Sequence, residues 1–441
     1  MKFGHAFQEA LAADSYPQHW VEKAVPYRQL KKILGKVREE LITNGYAPDT
    51  LQQLLTEHNA EYRLETDAFH LLRPKLVVRP RLSGEQVPKT KSLSEVTSTT
   101  LSDGTDCHSS ELDVSKNGAS VLLGGGGGDD EDEDDDDGWV EIPLSSDARF
   151  FGLLQADLTE LDTLQAKERQ LMNDKIGILG NEIAEVAKPR KGLAKFSKSD
   201  LYRWREIFEL YLAAQVFFST SEAASGLRKS EKARQQLVWF QEEVKKRQLL
   251  QKFKIASSAT AYAHFLALNA TLLQNLQFQE LNQTAITKII KKFDKRTSLG
   301  VKRTFPKMMY HAQFISEAIS KDVCAQLARE VVNQVPQVVD YTCTICLCIC
   351  WLPIRLDCTH LFCIRCMIKM QNQNKRYCPL CRADVIQRAN ETHIDEQLVR
   401  YLEWWFPKET REKQAYNELE RRRELLGDVY VGEEPPQCVV M

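Results

Sequence analysis

Cys343-Thr344-Ile345-Cys346, Cys358-Thr359-His360-Leu361-Phe362-Cys363-Ile364-Arg365-Cys366 and Cys378-Pro379-Leu380-Cys381 place eight sulfur and imidazole donors within residues 343–381. A Cys-x2-Cys turn presents two thiolates to one metal, and a tetrahedral zinc takes four such ligands at about 2.3 Å. Eight donors therefore imply two Zn2+ ions. So short a segment cannot bury a sufficient core, and ligation substitutes for one. Nine of the twelve cysteines lie here; Cys107, Cys324 and Cys438 stand apart. Glu9, Asp14 and His19 interrupt any apolar leader, so the cluster reads as metal-binding and not as a disulfide framework. Cys348 and Cys350 are surplus. Either is able to stand in for Cys346, but the rest of the spacing fits best without them.

The full spacing, Cys343-x2-Cys346-x11-Cys358-x1-His360-x2-Cys363-x2-Cys366-x11-Cys378-x2-Cys381, resembles the C3HC4 RING finger. The resemblance implies a two-zinc cross-brace. Cys343, Cys346, Cys363 and Cys366 would share one zinc, and Cys358, His360, Cys378 and Cys381 the other. It also implies an E3 ubiquitin ligase that holds a ubiquitin-charged conjugating enzyme (E2) on an apolar groove, with no nucleophile of its own. Ile345 and Pro379 match the family's groove contacts. Arg382 matches the cation that bonds both E2 and ubiquitin, a role suited to a fork of donors. Met370 departs from the pattern: many active members carry Trp there, although methionine can fill a groove. A covalent ubiquitin intermediate is not expected, since neither Cys107 nor Cys324 has an evident activating partner. The non-enzymatic alternative is an adaptor whose zinc domain is structural or dimerising.

The chain of 441 residues, 43% hydrophobic and 9% aromatic, has room for two or three domains. Its net charge of −2 averages opposing local extremes and indicates no partner. No run approaches the roughly 18 apolar residues of a membrane span. Residues 1–78 read as helical, with Leu30, Ile33, Leu34 and Val37, and then Leu51, Leu54, Leu55, Tyr62 and Phe69, at helical spacing. Ser/Thr-rich sequence, Gly124–Gly128 and nine acids, Asp129–Asp137, predict a disordered insert over 79–145. The acids could imitate a polyanion; a solvated linker is the simpler reading. A helical bundle resumes over 146–305, with a long helix ending before Pro189. An aromatic helix, Leu201 to Phe218, follows with Asp200 as its N-cap, and others follow near 229–253, 259–278 and 282–296. A linker helix (306–340), the zinc module (341–385) and a helical extension with a loose tail (386–441) complete the chain. The first three-quarters reads as all-α.

Lys288, Lys291, Lys292 and Lys295 fall at offsets 0, 3, 4 and 7, within an arc of about 100° on one helix face. Ile289, Ile290 and Phe293 point the other way. Like charges so placed repel, and a bound anion relieves them. Together with Met1-Lys2-Phe3-Gly4 and Tyr27-x2-Leu30-Lys31-Lys32, this pattern resembles the SPX domain, split here by the acidic insert. The resemblance implies a helical bundle with an N-terminal hairpin that binds inositol polyphosphates or pyrophosphates as signals of phosphate status. Tyr27, Lys31, Lys288, Lys291, Lys292 and Lys295 would form the site, with Lys2 a weaker member. Lysines suit phosphate as point charges. Nucleic acid is not expected, for no aromatic stacking platform accompanies the lysines. The combination resembles SPX–RING proteins of fungi and plants, in which a phosphate-sensing module accompanies a ligase.

The last four residues, Cys438-Val439-Val440-Met441, fit a prenylation signal at Cys438, with Met favouring farnesyl. One lipid beside acidic neighbours predicts only weak membrane association. Trp404, Trp405 and Phe406 are expected to pack on the zinc module or, failing that, to drive self-association. Cytoplasmic placement is expected, with nuclear or peripheral membrane sites open.

Overall fold

Two long antiparallel helices frame the molecule. The computed structural model describes residues 3–13, 16–66, 72–79, 139–189, 199–219, 226–303, 305 and 321–426. Residues 80–138 of the predicted insert, and with them Lys2, Cys107 and Cys438, lie outside the described residues. Helix α5 (Ser145–Ala187) has 43 residues and α8 (Ala256–Thr297) has 42, roughly 63 Å each at about 1.5 Å per residue. Phe150, Phe151 and Leu154 of α5 share one core with Ile286, Ile289 and Phe293 of α8. Ile176, Leu179 and Ile183 share a second core with Tyr262, Phe265 and Leu268. The predicted break between 278 and 282 does not occur. There Asn282 accepts from the Val25 N–H at 2.9 Å and donates to Phe278 O at 2.9 Å, so a polar side chain is satisfied inside the helix pair.

Helices α1 (Phe3–Ala13), α2 (Gln18–Glu22), α3 (Tyr27–Thr43) and α4 (Pro48–Thr56) precede a sheet. Leu30, Ile33, Leu34, Val37 and Leu41 form one buried stripe of α3, which packs on α5 and α8. Glu40 of α3 accepts from the N–H groups of Ser145 and Ser146 at 2.7 and 2.8 Å. That carboxylate meets the positive end of α5.

The first three-quarters is not all-α. Strands β1 (Ala60–Thr66), β2 (Leu72–Val78) and β3 (Val140–Ile142) form an antiparallel sheet in that order. The seven-residue interval from Leu55 to Tyr62 suits a helix. Within β1, however, Ala60, Tyr62 and Leu64 alternate with Glu61, Arg63 and Glu65, a period of two that buries one face. The predicted insert also reaches too far. Val140 pairs with Val78 and Ile142 with Leu76, and α5 begins at Ser145, so 140–142 is strand and helix has begun by 145.

Helix α6 (Leu201–Ala214) ends short of Phe218, where Gln215 turns left-handed. A short hairpin, β4 (Phe218–Ser219) with β5 (Gly226–Leu227), leads to α7 (Ser230–Lys246). Asp200 occupies the N-cap position of α6 without bonding that helix by its side chain. Its carboxylate accepts instead from Lys254 N–H (2.8 Å), Ile255 N–H (3.0 Å) and Ser258 Oγ–H (2.6 Å), capping α8. Residues 321–330 are helical (α9), and Val323, Leu327, Val331, Val332 and Val335 join the second core. A Cβ at Gly180 would lie 2.2 Å from Glu330 O, so only glycine admits this approach.

The zinc module holds β6 (Pro353–Arg355), β7 (Leu361–Cys363) and α10 (Ile364–Asn372) around its own small core, with Ile354, Phe362, Met367 and Ile386 at its centre. Helices α11 (Glu396–Trp405) and α12 (Pro407–Leu426) follow. Phe406 packs with Ile349 of the module, and Trp405 touches both this cluster and the bundle core. Among the described residues, no helix is long and apolar enough to cross a membrane.

Candidate zinc centre and lysine face

Two tight turns present the cysteines. In the first, Cys343 N–H donates to Cys348 O and Leu347 N–H to Cys343 O, each at 2.8 Å. In the second, Cys378 N–H donates to Ala383 O and Arg382 N–H to Cys378 O, again at 2.8 Å. Leu347 and Arg382, each four residues past the first cysteine, both take positive φ, +55° and +63°. The same Cys-x2-Cys spacing thus folds twice into one knuckle.

The ligand atoms gather as two tetrads, each with all members within 4.8 Å of one another: Cys343, Cys346, Cys363 and Cys366, and Cys358, His360, Cys378 and Cys381. Cys346 and Cys363 sulfurs are 3.7 Å apart, close to the roughly 3.8 Å edge of a tetrahedron with about 2.3 Å Zn–S bonds. Neighbouring sulfurs, Cys346 first, hold the Cys343 thiol far below its ordinary value, while contact with Cys343 and Cys346 pushes Cys363 far above it. Thiolates this crowded need a cation between them, and the donor set fits zinc. Cys363 N–H also donates to Cys343 Sγ at 3.5 Å, the kind of second contact that orients a ligand. Of the surplus thiols, Cys348 donates to Cys346 O at 3.3 Å and Cys350 is buried against the first tetrad.

Ile345, Pro379 and Arg382 lie on the outer sides of the two knuckles; Ile345 is 43% exposed, and the other two are also exposed. Leu347 and Leu380 join them as exposed apolar side chains that the spacing had not singled out. Their positions inside and just after the Cys-x2-Cys turns are the available signal. Met370 is 6% exposed and sits in the module core, so it supports the surface from beneath. Burial in the bundle pushes the Cys324 thiol up to about 12, which removes its nucleophilicity.

At the other end of the molecule, α3 and α8 carry the basic residues and pack on each other. Lys288, Lys291 and Lys295 are exposed on α8, and Lys31 is half-buried on α3. Lys292 Nζ lies 5.9 Å from the centre of the Tyr27 ring, within cation–π reach. Tyr27 itself is only 4% exposed, packed edge-on against Phe3 at 5.0 Å. Its chief place is as an aromatic floor. Burial raises its hydroxyl pKa and the charge of Arg296 opposes that rise, so Arg296 belongs to this constellation. Its position one turn beyond Lys292 was the missed signal. Asp294, the lone acid of the segment, is turned away and accepts from Lys302 N–H at 2.8 Å.

Comparison with known proteins agrees with both halves. The SPX domain family model matches residues 1–309. The chain belongs to the SPX domain family. This SPX chain is 31% identical over its whole length, and over the whole of the relative, to the Transcriptional regulator of yeast form adherence 3 of Candida albicans. It is also 31% identical, again with both chains fully covered, to an uncharacterized RING finger protein of Schizosaccharomyces pombe. With the cysteine tetrads, that likeness makes it an SPX–RING protein. No solved structure matches it.

Proposed function

We propose that the chain is a RING-type E3 ubiquitin ligase under the control of an inositol polyphosphate or pyrophosphate. The observation that carries the ligase reading is the exposed set on the two knuckles. Ile345, Leu347, Pro379 and Leu380 offer an apolar contact for an E2, and Arg382 offers a fork of donors beside it. Cys343, Cys346, Cys363 and Cys366 would hold one zinc, and Cys358, His360, Cys378 and Cys381 the other; bound zinc would fix the knuckles rigidly. The chain's own residues bind and orient the charged E2, supply no nucleophile of their own, and leave acceptance of ubiquitin to a substrate lysine.

The regulatory reading rests on Lys292 over the Tyr27 ring with Arg296 near it, on Lys288, Lys291 and Lys295 exposed along the same helix, and on Lys31 of the neighbouring α3. Autoubiquitination with a panel of conjugating enzymes tests the first claim: Ile345→Ala and Arg382→Ala should each reduce it at least tenfold at unchanged zinc content. Wild-type protein inert with every enzyme would leave the adaptor reading in its place. Calorimetry with inositol hexakisphosphate tests the second, with Lys292→Ala and Lys295→Ala expected to weaken binding. Equal affinity in both variants would remove the site.

A further inference from the structure

Arg205 lies on α6, within the SPX bundle, yet its guanidinium serves segments from the other end of the chain. Nε donates to Pro336 O at 3.0 Å, Nη2 to Trp405 O at 3.1 Å, and Nη1 pairs with Glu409 Oε1 at 3.2 Å. The group also stacks over the Phe406 ring at 4.3 Å. Tyr202, one turn earlier, donates to the second Glu409 oxygen at 3.0 Å and accepts from Lys408 N–H at 3.3 Å. The side chain of Arg205 is 7% exposed. One buried cation therefore joins the bundle, the approach to the zinc module and the start of α12.

Helix α12 then continues to the zinc module. Glu420 pairs with Lys369 at 3.4 Å, and Glu424 pairs with Arg365, both partners lying on α10. The pairs run in opposite chain directions, so α12 lies antiparallel to α10. From Glu409 to Glu420 the helix spans roughly 16 Å at about 1.5 Å per residue.

We propose that α12 is a strut that fixes the orientation of the zinc module on the SPX bundle, with Arg205 as its lock and Glu409 as the catch. Packing of Trp405 and Phe406 alone would hold the two bodies together without setting an angle. A planar fork aimed at three directions at once sets one. Lysine in that place can supply the charge but not the three fixed donors. The inference concerns orientation and stands whether or not the module is a ligase.

The test uses the full-length, zinc-loaded protein with Arg205→Lys and Glu409→Gln, separately and together. Hydrogen exchange should rise at least tenfold over residues 396–416 in each single variant. The rise in the double variant should not exceed that in the singles, because both break one lock. Small-angle scattering should show a broader spread of bundle-to-module distances. Zinc content and exchange within α5 and α8 should stay as in the wild type. Glu409→Gln, at a half-buried first-turn position, keeps the test decisive if Arg205→Lys disturbs the bundle. Wild-type exchange and scattering in Glu409→Gln would overturn the proposal, as would additive effects in the double variant.

Discussion

Arg382 holds its side chain out from a left-handed backbone, φ +63°, a conformation that costs a non-glycine residue about 1–2 kcal/mol. The knuckle geometry demands that backbone, since Arg382 N–H must reach back to Cys378 O. Arg382→Gly should therefore leave zinc content and the unfolding midpoint nearly unchanged, within about 0.5 kcal/mol. On the ligase reading it should still lower ubiquitin transfer at least tenfold. A variant that loses zinc would show that the side chain serves the fold. At this scale the sequence was most legible for the zinc ligands, because Cys-x2-Cys is a local geometry complete within four residues. Arg205 was illegible for the opposite reason: its partners lie 131, 200 and 204 residues away, beyond any periodicity.

Among the elements, helices with a sustained apolar stripe, such as α3 and α5, were readable and β1 was not. Its seven residues alternate clearly, yet their spacing from Leu55 also satisfied a helix, and pairing with β2 decided the matter. The sheet docks on α5 through a buried acid. The Tyr62 hydroxyl donates to Asp147 Oδ2 at 3.0 Å. Burial raises Asp147 to about 7, with the Glu40 charge adding to the rise, although the bonds from Tyr62 and from Ala148 N–H pull it down. The folded value exceeds the unfolded one, so the native state keeps a proton that the unfolded chain has already lost. This contribution is complete below about pH 4 and is lost as pH rises through 7. Asp147→Asn should flatten the fall in stability between about pH 4 and 7, on the order of a few kcal/mol, as followed by urea unfolding. An unchanged slope would assign the effect to another group. Gly180→Ala should detach α9 from α5, since the new methyl meets the Glu330 carbonyl. A loss of about 1–3 kcal/mol and faster exchange over 321–335 are expected.

The whole molecule has separate cores. The module's centre, around Phe362 and Ile386, shares no residue with the two bundle cores. Chelation of zinc should therefore melt 343–389 while most of the helical circular dichroism and the binding of inositol hexakisphosphate persist. Collapse of the whole helical signal would mean that the module is integral to the bundle. That the module differs in kind from the helical bundle was legible from the abrupt change in cysteine density. How they are joined was not, because α12 is charged on every side and its partners are set only in three dimensions.

The pairing of Val78 with Val140 has one more consequence. For the sheet, everything between those residues is a single hairpin connection, however long. The entropy of closing such a connection grows only with the logarithm of its length, about 0.6 kcal/mol per doubling. A change in the length of the connection between Val78 and Val140 thus costs the sheet little. Tyr62, two rungs from that exit point, feels the charge of Asp294 near the end of α8. New sequence gained there would stay tethered to the sheet at both of its ends.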